Sequence, residues 1–264
     1  MSGDRAILRR MDKSLPHAVA AAPVEADVSP TRAFSRVAAA QLGALGLLLT
    51  VAPTPLKPAG AGAILLYLAA TALVALMMRA HYPHARLGLC NAVTHLRLAL
   101  AAPLAAALAA PQSLADPAIA WALFGIAAAC LTLDGADGWL ARREGLSSRF
   151  GARFDVEVDA ALALILSALA WRIDAAGPWV LWLGLPRYLF VGAQAALPWL
   201  RRPLPESRVR KAVCALQIGS LIALLCPAAP GSLVEAVAAS AGVALAVSFA
   251  ADVVWLARRA RRAP

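Results

Sequence analysis

The chain has 264 residues, of which 61% are hydrophobic and only 15% charged, and its mean hydropathy is +0.69. That balance excludes an ordinary water-soluble globule. Twenty-five Lys and Arg against fifteen Asp and Glu give a formal net charge of +10; the charges gather between apolar stretches, which points to anionic lipid and away from nucleic acid.

Residues 1–34 carry Arg5, Arg9, Arg10, Lys13 and Arg32 among Ala, Pro and Ser, with no continuous apolar core and no small-residue cleavage site. A basic cytoplasmic tail is expected there, not a cleaved signal. Eight apolar spans follow at about 37–53, 59–78, 91–110, 117–133, 155–171, 178–200, 209–226 and 233–257. Each is long enough to cross a hydrocarbon layer of roughly 30 Å at about 1.5 Å per helical residue. Their separators hold Pro, Gly or charge, and the spans lack barrel-like alternation. The expected fold is therefore all-α, a polytopic membrane bundle of about eight transmembrane helices. Its organisation reads as a tail at 1–34, an additional hairpin at 35–79, a core at 80–258 and a basic tail at 259–264. Cys90, Cys130, Cys214 and Cys226 stand alone in or beside apolar segments and are expected to be small core residues.

Positively charged loops stay cytoplasmic. With the N-terminal tail inside, loops at 79–90, 134–154, 201–211 and 258–264 are inside too, and 21 of the 25 basic residues then lie on that side. Lys57 and Arg172 face out, while Arg97 and Arg187 fall within spans. An odd helix number would break this alternation, and both termini are expected in the cytoplasm.

One cytoplasmic loop with its flanking helix ends concentrates charge: Asp134, Asp137, Gly138, Ala141 and Arg142, then Gly151, Arg153, Asp155, Glu157 and Asp159. Spacings of three and four place each aspartate pair on one helix face. Four carboxylates cannot all stay ionised in a partly desolvated site without a compensating cation, and a pair of divalent ions would supply it. Oxygen donors without nearby His or Cys favour Mg²⁺, Mn²⁺ or Ca²⁺ over zinc. Two such ions form a clamp suited to phosphoryl displacement. Gly138, Ala141 and Gly151 would let a bulky ligand or a second helix approach the backbone. Glu157 should point elsewhere, and Glu144 and Glu157 are expected to neutralise Arg142, Arg143, Arg149 and Arg153.

These residues fit D-x2-D-G-x2-A-R-x8-G-x3-D-x3-D at every position and gap, and in this the chain resembles the CDP-alcohol phosphatidyltransferases. The stretch Cys90-Asn91-Ala-Val-Thr94-His-Leu-Arg97 is similar to that family's Pro-Asn-x-x-Thr-x-x-Arg, with Cys90 in place of proline. The resemblance covers roughly 80–258, six of the eight spans. It implies transfer of a phosphatidyl group from a CDP-linked lipid to an alcohol with release of CMP, dependent on two divalent ions, Mg²⁺ or Mn²⁺. By the same resemblance Asp134, Asp137 and Asp155 would hold metal on the diphosphate, and Asp159 would touch the second metal and act as general base. Asn91, Thr94, Gly138, Ala141, Arg142 and Gly151 would bind the nucleotide. A homodimer in a bacterial-type inner membrane is also implied.

The acceptor is read from basic residues. An arginine inside the sixth span, Arg187, should face a polar cavity with an anionic partner. Lys211 with Gln217 resembles a Lys-x5-Gln pattern of family members that use glycerol phosphate, although Cys214 stands where those carry Thr. Arg153, Arg187, Arg210 and Lys211 are the candidate acceptor residues. The expected reaction joins CDP-diacylglycerol to glycerol 3-phosphate or another phosphorylated polyol in phospholipid synthesis. Alternatives are inositol phosphate, phosphatidylglycerol or an amino alcohol as acceptor, or, from a different class, a divalent cation transporter. His81, His84 and His95 are taken as anchors or loop residues, and Trp179, Trp199 and Trp255 as interfacial rings.

Overall fold

Apolar runs punctuated by Pro and Gly fold as helices throughout the computed structural model, which describes residues 29–53, 56–205 and 207–261. Among the described residues there are eight α-helices: α1 (Pro30–Val51), α2 (Leu56–His81), α3 (Leu89–Ala109), α4 (Pro117–Glu144), α5 (Arg149–Arg172), α6 (Pro186–Ala196), α7 (Arg208–Leu224) and α8 (Gly231–Arg261). Five of them, α1 to α4 and α8, are long and apolar enough to cross a membrane. Large apolar side chains such as Leu47, Leu65, Leu66, Leu73, Leu76, Val243 and Val247 point outward. A surface of that kind requires lipid as its solvent.

The central element is α3. Half of its apolar window is buried, against 22% or less in the other four long apolar helices. Its Ala99, Ala102 and Ala106 meet Ala63 and Tyr67 of α2. Between helices in lipid, where apolar burial gives little driving force, such small residues allow close van der Waals packing. The main core joins Leu104 and Ala107 of α3 to Ala127 and Cys130 of α4, Leu166 of α5, Leu221 of α7 and Ala241 of α8.

Several boundaries differ from the sequence reading. Helix α1 begins at Pro30, inside the expected tail, because Pro fits the first helical position; residues 1–28 of that tail lie outside the described residues. Helix α4 runs on to Glu144, so the expected loop at 134–154 shrinks to 145–148. Most of the last basic segment is helical as well, up to Arg261, with 262–264 outside the described residues. The sixth span is not one helix. It is a 3-10 turn at Pro178–Leu183, the 11-residue α6, and a second 3-10 turn at Pro198–Arg201. Three prolines divide it, since each lacks the amide that an interior helical position must donate. Gly184 lies between the first turn and α6, where a methyl group would come within 2.7 Å of Leu164 Cα. Of the four cysteines, Cys90 and Cys130 are buried as expected, but Cys214 is exposed.

Candidate active site

The turn between α4 and α5 sets the geometry of the acidic motif. Gly145 takes φ +64°, the left-handed conformation that suits glycine at a helix C-terminus. Three residues later Ser148 Oγ accepts a hydrogen bond from Gly151 N at 3.0 Å and caps α5. Arg142 and Arg143 occupy the last turn of α4, where positive charge complements the helix dipole. This tight reversal lays Asp134 and Asp137 of α4 beside Asp155 and Asp159 of α5.

The four carboxylates close on one cation. Arg97, on α3 and 1% exposed, places Nη1 at 2.7 Å from Asp155, 3.1 Å from Asp134 and 3.2 Å from Asp137. Its Nη2 pairs with Asp159. Asp137 is the deepest of the four, 6% exposed against 33% to 37% for the other three. Thr94 Oγ1, one turn before Arg97, lies 3.1 Å from Asp137 Oδ2 and 3.0 Å from the Cys90 carbonyl. Arg97 Nε is buried with no hydrogen-bond partner among the described residues.

One guanidinium cannot balance four ionised carboxylates, so the cluster keeps a strong demand for further positive charge. Oxygens of Asp134, Asp137 and Asp155 lie within 4.8 Å of one another. Hard, mutually close oxygen donors of this kind suit Mg²⁺ or Mn²⁺. Asp159 stands outside that triad and faces Arg97.

The small residues of the motif divide by role. A methyl group on Gly151 would sit 3.0 Å from Asn91 Oδ1 and 3.3 Å from Ser148 Oγ, so glycine here permits the contact between α3 and α5. At Gly138 a methyl would meet only Arg142 Nη1, 3.6 Å away, which leaves that face of α4 open. Ala141 gives its carbonyl to Ser147 Oγ at 3.2 Å. Asn91 is buried and donates to the Tyr82 hydroxyl at 3.3 Å. That hydroxyl also accepts from Gly88 N and donates to the Arg86 carbonyl, tying down the chain between α2 and α3. Burial raises the Tyr82 phenol above its ordinary value, so it stays protonated and able to donate.

The basic candidates are dispersed. Arg187 sits at the start of α6, not within a long span, and pairs with Glu157. Arg210 forms a two-oxygen contact with Asp252 of α8 at 2.8 and 2.9 Å. Lys211 and Arg153 are exposed. Gln217 donates to the Leu183 carbonyl, supporting the 3-10 turn ahead of α6. Glu157 points away from the aspartates as expected, but its partner is Arg187, and Glu144 accepts from Leu89 N at 2.9 Å. Neither acid pairs with the loop arginines Arg142, Arg143, Arg149 or Arg153 among the described residues.

The sequence reading left Arg97 out of the site set, although it lies at the centre. The signal was present: an arginine inside an apolar span, three residues after Thr94, obeys the same rule that singled out Arg187. His95 is likewise no loop residue; it is fully buried on α3.

The family model for CDP-alcohol phosphatidyltransferase matches residues 87–251. The chain belongs to that family. Members transfer a phosphatidyl group from a CDP-linked donor to an alcohol, and this chain is such a transferase, integral to a membrane. The matched segment begins just before α3 and ends within α8, leaving α1 and α2 outside it. No curated protein and no solved structure matches the chain.

Proposed function

We propose that this phosphatidyltransferase uses CDP-diacylglycerol and a phosphorylated polyol, glycerol 3-phosphate being the best fit, and releases CMP on the cytoplasmic face of a bacterial-type inner membrane. The observation that carries the reading is the convergence of Asp134, Asp137, Asp155 and Asp159 at the end where α4 and α5 meet. Asp134, Asp137 and Asp155 would hold the divalent ions. Bound there, Mg²⁺ or Mn²⁺ supplies charge stabilisation to a phosphoryl group under attack and to the departing CMP. The acceptor hydroxyl must lose a proton as its oxygen bonds to phosphorus. Asp159, outside the metal triad, more than a third exposed and paired with Arg97, would take it. No covalent enzyme intermediate is required. The open face at Gly138 and the exposed Arg142 support a nucleotide on that side of α4.

Arg187 and Lys211 would bind the acceptor phosphate. Lys211 lies at the start of α7, after a loop assigned to the cytoplasmic side, and Arg187, at the start of α6, reaches α5 through Glu157, two residues from Asp155 and from Asp159. A divalent cation carrier is disfavoured, because the acids cluster at one helix end and their neighbour at depth is an arginine.

The test is direct. Purified protein is incubated with CDP-diacylglycerol, Mg²⁺ or Mn²⁺ and a panel of alcohols, and CMP and the lipid product are measured. CMP formation together with a phosphatidylglycerol phosphate product is expected. CMP without an acceptor-linked lipid would indicate hydrolysis and overturn the assignment.

A further inference from the structure

Helices α1 and α2 lie outside the family match, yet they hold α3 by its most polar stretch. On α2 the inward stripe is Ala63, Tyr67, Thr71, Val74 and Met78, at helical spacing. Thr71 Oγ1 shares a hydrogen bond with His95 Nε2 at 3.1 Å. His95 is fully buried, and its other ring nitrogen has no partner among the described residues, so Thr71 is its polar contact here. Three rings enclose it: Phe34 of α1 with centroids 4.6 Å away, Tyr67 of α2 at 5.5 Å and Phe154 of α5 at 6.4 Å. Tyr67 in turn donates toward the Ala38 carbonyl and Gln41 of α1, which locks the two hairpin helices together.

His95 follows Thr94 and precedes Arg97 by two residues, so on a helix it projects from a different face than the pair that meets the aspartates. The hairpin therefore grips α3 from behind the reactive side. Phe154 extends the same contact to α5, one residue before Asp155. Two of the three helices that form the site, α3 and α5, are thus seated on α1 and α2. A buried hydrogen bond narrows both distance and direction, and so restricts the rotation of α3 more closely than an apolar contact alone.

We propose that the α1–α2 hairpin is a positioning element of the transfer site, acting through Thr71 and His95 to set the rotation of α3 and so the place of Arg97 among the carboxylates. The proposal rests on the assignment of the aspartate cluster as the reaction centre. Neither Thr71 nor His95 touches that cluster, so both are positioning residues. A misplacement of about 1 Å in such a site costs up to roughly 10²-fold in rate.

The experiment uses the full chain in lipid nanodiscs, with Thr71→Val, Thr71→Ser and Phe34→Leu variants. Thr71→Val should lower kcat by about fivefold, the equivalent of one lost hydrogen bond, while KM for both substrates stays within about twofold. Thr71→Ser, which restores the hydroxyl, should recover wild-type kcat. Phe34→Leu, a change on the other hairpin helix, should lower kcat in the same pattern. In parallel, Mn²⁺ binding without substrate is followed by electron paramagnetic resonance. The Mn²⁺ dissociation constant should shift by about threefold or more in Thr71→Val and return in Thr71→Ser. Unchanged kcat and Mn²⁺ binding in Thr71→Val would overturn the proposal. So would losses that only track the amount of folded protein and are not repaired by Thr71→Ser. The Mn²⁺ measurement needs no turnover, so a wild-type protein that fails to make lipid product would defeat the substrate assignment while leaving the positioning role testable.

Discussion

Asp159 and Asp137 show how one acidic motif can assign different tasks. Asp137 is buried, and its Oδ2 accepts from Thr94 and Arg97, which orients the carboxylate. Asp159 is more exposed and has Arg97 as its ionic partner. Replacing Asp159 with Asn keeps the shape but removes the proposed proton acceptor. Transfer should fall by at least about 10²-fold, in the range that general-base removal costs, while CDP-diacylglycerol binding with metal persists. Steady-state rates beside a binding assay decide this, and near-normal turnover would remove Asp159 as the base. The acceptor residues call for another readout. Arg187→Ala and Lys211→Ala should each raise KM for a phosphorylated acceptor by roughly 10- to 150-fold, the equivalent of about 1.5 to 3 kcal/mol for a charge-assisted contact. KM for CDP-diacylglycerol should change little, because the proposed mechanism puts its diphosphate on the aspartate side. Equal effects on both substrates would assign the two residues to the donor or to folding.

At the scale of elements, the reaction centre depends on a four-residue turn. Gly145 ends α4 in a left-handed conformation, so Gly145→Ala should cost about 1 to 2 kcal/mol and shift α5 against α4. A lower thermal midpoint with weaker metal binding is the expected result; an unchanged protein would show that the turn relaxes without moving the aspartates. This part of the site was legible in the sequence because its spacing is short-range: intervals of three and four residues determine which side chains share a helix face. The order of the apolar helices was legible for a similar reason, since hydropathy records each apolar run, although only five helices among the described residues are long and apolar enough to cross a membrane. The break of the sixth span was written in Pro178, Pro186 and Pro198 but was outweighed by a continuous apolar average. What periodicity could not supply was the tertiary pairing of Arg97 with four acids from two other helices, or of His95 with Thr71, 24 residues away. Such pairings depend on the rotation of packed helices about their axes, and neither hydropathy nor spacing encodes that rotation.

At the scale of the molecule, α4 fixes where the chemistry can take place. Its 28 residues span about 42 Å at about 1.5 Å each, more than the roughly 30 Å of a hydrocarbon core. A crossing α4 would therefore emerge with its ends on opposite sides of the membrane. The aspartates lie toward its C-terminal end, about 26 to 30 Å from its start by the same rise, which places them at a membrane boundary where a polar acceptor and a lipid-linked donor can meet. We propose the cytoplasmic boundary, on the basis of charge. Arg142, Arg143, Arg149 and Arg153 surround that end, whereas the connector before α4 contains no Lys or Arg between Pro111 and Asp116, so positive charge favours the cytoplasm for the aspartates. Substituted cysteines in a cysteine-free background can test the orientation. Gln112→Cys and Ser147→Cys occupy exposed positions in the connectors flanking α4. A membrane-impermeant maleimide applied to intact cells should label Gln112→Cys at once, and Ser147→Cys only after permeabilisation. The opposite order would place the aspartates on the outer face, away from any cytoplasmic supply of a phosphorylated acceptor, and the proposed reaction would then lack its substrate.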